Sequence, residues 1–309
     1  MSVAHEGAPR HLLDVTDLDA ADLQAVLALA QLPVAKLGRP LEGRGAALIF
    51  EKPSNRTRQS MEIAVFELGG HPVYTRGEEV GFDSRETVED VTRIMAGYHA
   101  VLAARVFRHQ VVERMAAVSP VPVVNMLSDR SHPLQALADV LTMAQALGPP
   151  LEGRTVAWVG DYNNVARSLA EASALSGMHV RLGCPPDYAA PAAELERIAA
   201  LGAAGVEQHP DPAAAVKGAD AVHTDVWTSM GQEDEDARRR VAFAGFTVDE
   251  ALMAEAGPDA LFFHCLPAHR GLEVAAEVLD GPRSWVFPQG HNRLHAARGL
   301  LAFLAGVRP

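Results

Sequence analysis

A chain of 309 residues, 48% hydrophobic and 21% charged, has the composition of an ordinary globular protein of about two domains. Its net charge of −12, with no long basic block, argues against nucleic acid or an anionic membrane as partner. No apolar run nears the roughly 18 residues needed to span a bilayer. Two distant cysteines, Cys184 and Cys265, fit a reducing, cytoplasmic setting better than a disulfide framework. The stretch from Met1 to Gly7 lacks the basic-then-apolar pattern of a secretory signal.

Residues 17–31 carry an amphipathic helical pattern, with Leu18, Val26 and Leu29 among its apolar positions. Strands and helices then alternate. The periodicity predicts strands over 46–50, 72–75, 100–105 and 121–125, and helices over 54–68, 86–97, 110–118 and 132–147. The Gly148-Pro149-Pro150 stretch breaks the pattern. Beyond it strands are predicted over 155–159, 179–182, 221–225 and 260–264, with helices over 163–176 and 192–201. Residues 227–240 are polar and charged, and read as a mobile functional loop. Residues 289–307 read as a closing helix, in which Gly299 should cost about 1 kcal/mol relative to alanine. Short apolar strands joined through helices imply right-handed crossovers and mostly parallel sheets covered on both faces. The expected fold class is α/β: two similar domains, each a mostly parallel sheet flanked by helices, with the active site in an interdomain cleft onto which strand C-termini open.

Polar residues follow each strand. After 46–50 comes Ser54-Asn55-Arg56-Thr57-Arg58. Ser54 is a candidate N-cap, and Pro53 ends the strand before it. The first helical turn then offers hydroxyls and arginines where backbone N–H groups and the helix dipole already favour an anion. The plainer reading is a helix start with solvated arginines. The strand over 100–105 ends at Arg105, with His109 nearby. His132 and Gln135, three apart at a helix start, share a face and can both donate to one carbonyl; a capping histidine with a solvated glutamine is the alternative. The second half adds Gly160-Asp161-Tyr162-Asn163-Asn164, Asp225-Val226-Trp227-Thr228-Ser229-Met230-Gly231 and His264-Cys265-Leu266-Pro267. The full G-x-G-x-x-G pattern is missing, so a dinucleotide is poorly supported, and paired asparagines there are often only caps. The cysteine spacing supports no zinc set. Neither G-x-S-x-G nor a P-loop pattern occurs.

Taken together these stretches resemble the ornithine carbamoyltransferases, within the aspartate/ornithine carbamoyltransferase family. The resemblance rests on Ser54-Asn55-Arg56-Thr57-Arg58, Arg105-Val106-Phe107 and His132-Pro133-Leu134-Gln135. It continues through Gly160-Asp161-Tyr162-Asn163-Asn164, Asp225-Val226-Trp227-Thr228-Ser229-Met230-Gly231, His264-Cys265-Leu266-Pro267 and Asn292-Arg293-Leu294-His295, in the family's order. The first and third stretches are shared with aspartate carbamoyltransferases; Ser-Met-Gly and His-Cys-Leu-Pro point to the ornithine branch.

The resemblance implies a carbamoyl phosphate domain over 1–133, completed by the helix 289–309, and an ornithine domain over 134–288. It implies transfer of the carbamoyl group of carbamoyl phosphate to the δ-amine of ornithine, giving citrulline and phosphate in arginine biosynthesis, with no metal or organic cofactor. Ser54, Asn55, Arg56, Thr57, Arg105 and Arg293 would hold the phosphate, and His132 and Gln135 the carbamoyl group, which the backbone at Cys265 and Leu266 would also meet. Asn164 and Met230 would take the carboxylate of ornithine, Asp225 and Ser229 its α-ammonium, and Cys265 and Leu266 its δ-amine. Arg56, Arg105, His132, Asp225 and Cys265 are the implied catalytic set. Whether Cys265, Asp225 or phosphate accepts the amine proton stays open. Family members are trimers or multiples of trimers, and the loop near Glu79 would reach a neighbour's phosphate. Two departures stand out: Glu79 where the family usually has glutamine, and Gly290-His291 where it usually has Ala-Glu. Glu79 alone motivates one alternative, a carbamoyltransferase for N-acetylornithine or putrescine; both departures motivate another, an inactive homologue acting as a binding subunit.

Overall fold

The computed structural model describes residues 8–229, 231 and 233–309; the stretch 1–7, Met230 and Gln232 lie outside the described residues. The chain divides into two compact units, one of residues 1–138 with 293–309, the other of residues 139–292. No described helix is long and apolar enough to cross a membrane.

The first unit carries β1 (Gly45–Phe50), β2 (His71–Arg76), β3 (His99–Arg105) and β4 (Val123–Leu127). Its helices are α1 (Ala20–Gln31), α2 (Val34–Leu37), α3 (Asn55–Glu67), α4 (Gly77–Val80), α5 (Val88–Tyr98) and α6 (His109–Val118), and α7 (Pro133–Leu147) begins in it. The strands form one parallel sheet in the order β2-β1-β3-β4. Strands β1 and β3 are buried almost throughout, as expected where helices cover both faces of a sheet. Ala47, Ile49, Leu102 and Ala104 pack against Val88, Val91, Val112 and Met115 of α5 and α6. The last strand starts two residues later than the apolar pattern predicts. Pro120 and Pro122 have no N–H to give a ladder, and Val121 N–H instead donates to Ser119 Oγ.

The second unit holds β5 (Thr155–Val159), α8 (Asn164–Leu175), β6 (His179–Gly183), α9 (Ala192–Ala199), β7 (Gly205–His209), α10 (Pro212–Val216) and β8 (Ala221–Thr224). It continues with α11 (Asp236–Ala242), α12 (Glu250–Ala256), β9 (Leu261–His264), α13 (Ala276–Leu279) and the start of α14 (Val286–Leu304). Its sheet is also parallel, in the order β7-β6-β5-β8-β9. The alternation of apolar residues did not reveal β7, a half-exposed edge strand of sequence GVEQH. The segment predicted as a long loop over 227–240 is shorter. Trp227 is buried and stacks on Phe243, and α11 forms from Asp236 onward because buried Arg239 binds inward, to Asp161 Oδ2 at 2.7 Å and Trp227 O at 2.9 Å.

Both sheets contain a point where successive connections run in opposite directions, between β1 and β3 in one and between β5 and β8 in the other. Ligands of open α/β sheets gather beyond the strand C-termini at such points.

Candidate functional site

In the first unit, β1 ends at Phe50 and the chain turns into α3. Ser54 is in extended backbone and caps α3, its Oγ accepting from Thr57 N–H and donating to Thr57 Oγ1 at 3.1 Å. Asn55 is exposed, Arg56 half-buried and Thr57 buried. On the neighbouring strand, Arg105 closes β3 and is half-buried. His132 and Gln135 are both buried at the start of α7. Arg293, 5% exposed, joins these groups: Nη1 donates to Gln135 Oε1 at 2.6 Å and Nη2 to Thr57 Oγ1 at 2.8 Å. Full burial pushes the His132 imidazole well below its usual protonation range, and the charges of Arg293, Arg105 and Arg56 push the same way. The ring is therefore neutral near pH 7, a hydrogen-bond partner rather than a cation. The structure thus brings together Ser54, Thr57, Arg56, Arg105, His132, Gln135 and Arg293 as one donor-rich cationic cluster.

His109, noted beside Arg105 in the sequence, has another place. Its Nδ1 meets Ser128 Oγ at 2.8 Å, and burial lowers its protonation range. Glu79 is exposed in α4, where Arg76 Nε donates to its Oε1 at 3.0 Å and Arg85 Nη1 to its backbone oxygen at 3.0 Å. The carboxylate that stood out in the sequence therefore has a cation three residues away. Gly290 and His291 lie on the open side of α14, while Gln289 and Asn292 face inward. Gln289 Nε2 donates to Asp139 Oδ1 at 2.6 Å, and Asn292 Nδ2 to Thr142 Oγ1 at 2.9 Å. The unusual Gly-His pair leaves the anchoring of the helix untouched.

In the second unit the residues after β5, β8 and β9 converge. Asp225, 7% exposed, follows β8. Its Oδ1 accepts from Cys265 Sγ at 3.2 Å and its Oδ2 from Asn163 Nδ2 at 3.1 Å. Asn164 opens α8 and is half-buried, as are Ser229, Cys265 and Leu266. Met230, expected beside Ser229, lies outside the described residues. Leu266 takes the left-handed conformation, φ 57°, costly for a residue with a branched side chain. Its N–H donates to His264 Nδ1 at 2.9 Å, which fixes the proton of that ring on Nε2, facing Glu273 Oε1 at 3.2 Å. Burial raises the Asp161 carboxyl above its ordinary range, against the opposing effect of Arg239.

Among the described residues, one trio of potential metal ligands approaches itself: Asp225, His264 and Cys265, with ligand atoms within 4.8 Å of one another. Both ring nitrogens of His264 are engaged by Leu266 and Glu273, so the trio does not fit a metal in this arrangement. Asn163 is the residue whose part sequence reasoning missed. It caps α8, as the sequence pattern implies, but nothing in the order of residues places its second amide atom against Asp225.

Two family models match the chain. The carbamoyl-P binding domain of aspartate/ornithine carbamoyltransferase covers residues 10–145, and its Asp/Orn binding domain covers residues 152–304. A protein named ornithine carbamoyltransferase from Acidothermus cellulolyticus is 48% identical over 96% of both chains. The solved ornithine carbamoyltransferase from Pyrococcus furiosus is 42% identical, with a TM-score of 0.91 over 97% of this chain and 99% of that one. A solved acetylornithine transcarbamylase complexed with acetylcitrulline is 31% identical, with a TM-score of 0.87 over 96% of this chain and 99% of that one.

Proposed function

Because the chain belongs to the aspartate/ornithine carbamoyltransferase family, we propose that it carries the carbamoyl group of carbamoyl phosphate to the δ-amine of L-ornithine. The products are L-citrulline and phosphate. Within a family whose members differ in the amine they use, the observation that carries this choice is Asp225. Its carboxylate is buried and held at both oxygens, yet a carboxylate has about four acceptor directions. A free α-ammonium suits those that remain. The α-nitrogen of N-acetylornithine is an uncharged amide and would leave a buried carboxylate without a cation.

In this reading Ser54, Asn55, Arg56, Thr57, Arg105 and Arg293 hold the phosphate at the start of α3, since guanidinium forks match phosphate oxygens. Neutral His132 and Gln135 hold the carbamoyl group, with backbone at Cys265 and Leu266. The neutral amine nitrogen attacks the carbonyl carbon, the bond from that carbon to the phosphate oxygen breaks, and the proton that the nitrogen sheds passes to the departing phosphate. Arg56 stabilises the negative charge that grows on the tetrahedral intermediate and on leaving phosphate. Asn164 and Met230 take the carboxylate of ornithine, and Asp225 and Ser229 its ammonium. The enzyme then serves arginine biosynthesis in the cytoplasm as a homotrimer, in which Glu79 comes to a neighbour's phosphate.

The test is turnover by purified protein on carbamoyl phosphate with L-ornithine, N-acetyl-L-ornithine and putrescine in parallel. Citrulline formation dominating by at least about a hundredfold in kcat/KM is expected, the worth of a buried charge pair. No citrulline, or preference for either rival, overturns the reading.

A further inference from the structure

Asn163 occupies the N-cap of α8, where its Oδ1 accepts from Val165 N–H at 2.9 Å and Ala166 N–H at 3.0 Å. Two N–H donors converge on that atom, so the amide orientation is determined: a flipped side chain would set its NH2 against both. The Nδ2 must then project away from the helix, and it meets Asp225 Oδ2 at 3.1 Å. The other oxygen of Asp225 accepts from Cys265 Sγ at 3.2 Å. Strand β8 lies between β5 and β9 in the sheet, so the carboxylate is held from both sides by residues that follow its two neighbours. One side chain thus performs two tasks, ending a helix and aiming a carboxylate.

We propose that Asn163 is a positioning residue for Asp225, coupling the start of α8 to the orientation of the carboxylate that receives the substrate's ammonium. The inference rests on the ornithine reading for its kinetic consequence and on geometry alone for the rest. A rotated carboxylate would still be present and charged, but its open acceptor directions would no longer face the substrate.

The cap and the positioning task separate by substitution, because serine and aspartate cap helices about as well as asparagine. Asn163→Ser keeps an acceptor for the helix and loses the amide donor. Asn163→Asp keeps the cap and sets a like charge against Asp225. Asn163→Ser is expected to melt within a few degrees of wild type, whereas Asn163→Asp, with two carboxylates in contact, should melt lower, so the serine variant carries the kinetic comparison. The KM for ornithine should rise about tenfold for serine, and further for aspartate, with kcat falling less and carbamoyl phosphate affinity unchanged.

A second readout needs no substrate. Cys184 is fully buried, so alkylation by a small reagent reports Cys265. A carboxylate released from Asn163 holds the thiol proton more firmly, and alkylation at pH 8 should slow by about threefold or more, most for aspartate. Wild-type ornithine KM and wild-type alkylation in Asn163→Ser would overturn the proposal, as would equal losses of both substrates. A wild-type enzyme inactive on ornithine would instead defeat the functional reading, leaving the alkylation series to decide the role of Asn163.

Discussion

Arg293 ties the cationic cluster of the first unit together, and its fork geometry is what allows it. One nitrogen donates to Gln135 and the other to Thr57, at 2.6 and 2.8 Å. Lysine offers a single point of donation and cannot span both acceptors. Arg293→Lys is therefore expected to leave one buried partner unserved, costing about 1.5–3 kcal/mol, a ten- to hundredfold loss in carbamoyl phosphate affinity read from KM or calorimetry. Glu79→Gln should behave differently. Its pair with Arg76 is exposed and screened by solvent, so the melting temperature should not change. Removing a negative charge from a loop proposed to approach phosphate should lower the KM for carbamoyl phosphate. At this scale the polar groupings were legible in the chain. Hydroxyls, arginines and amides stood at successive strand ends, and each sheet brings its own strand ends to one edge. What was not legible were the partners of those groups. That Arg76 answers Glu79, or that His109 turns to Ser128, depends on side-chain directions that spacing alone does not give.

Helix α14 shows how one glycine can set an element's place. A Cβ at Gly299 would lie 2.6 Å from Val26 O and 2.7 Å from Ala30 N, both backbone atoms of α1. Backbone cannot swing aside as a flexible side chain can. Helix propensity alone predicts that Gly299→Ala stabilises by about 1 kcal/mol. Contact predicts the reverse, because overpacking costs about 1–3 kcal/mol and the helices would have to separate. A net destabilisation in urea unfolding is expected, and a stabilised variant would show that the contact gives way easily. In the sequence this glycine is only a propensity cost; in the structure it permits the close approach of α14 to α1. Strands and long helices were legible because their periodicity is strong. The edge strand β7 and helix α11 were not, since their residues are polar and their formation depends on contacts such as Arg239 with Asp161 that are distant in sequence.

For the whole molecule, buried histidines set the limit on the acid side. Burial, aided by the nearby His264, pushes His223 down to about 3, and burial with three arginine charges pushes His132 well below its usual range. Unfolded histidines protonate near about 6.5. Between the folded and unfolded values the unfolded chain holds the additional proton, so stability rises with pH up to about 6.5 and is level above it for these groups. Each should contribute a loss of roughly 1 kcal/mol per pH unit as the solution is acidified below that point. His223→Phe, which keeps a ring stacked on Phe263, is expected to make the fall of the urea midpoint between about pH 6.5 and 5 shallower; an unchanged slope would remove His223 from the account. The division of the chain carries a consequence of another kind. Thr57 and Arg293 are 236 residues apart in sequence and bonded in space, and the first unit is made from both ends of the chain. A ribosome delivers the helix start at Ser54 early and Arg293 only after the whole of the second unit has emerged. The cationic cluster is therefore incomplete throughout most of synthesis. A nascent chain that has reached only residue 292 carries the arginines of this cluster without the guanidinium that joins Thr57 to Gln135, so the cluster's full positive charge arrives late in synthesis.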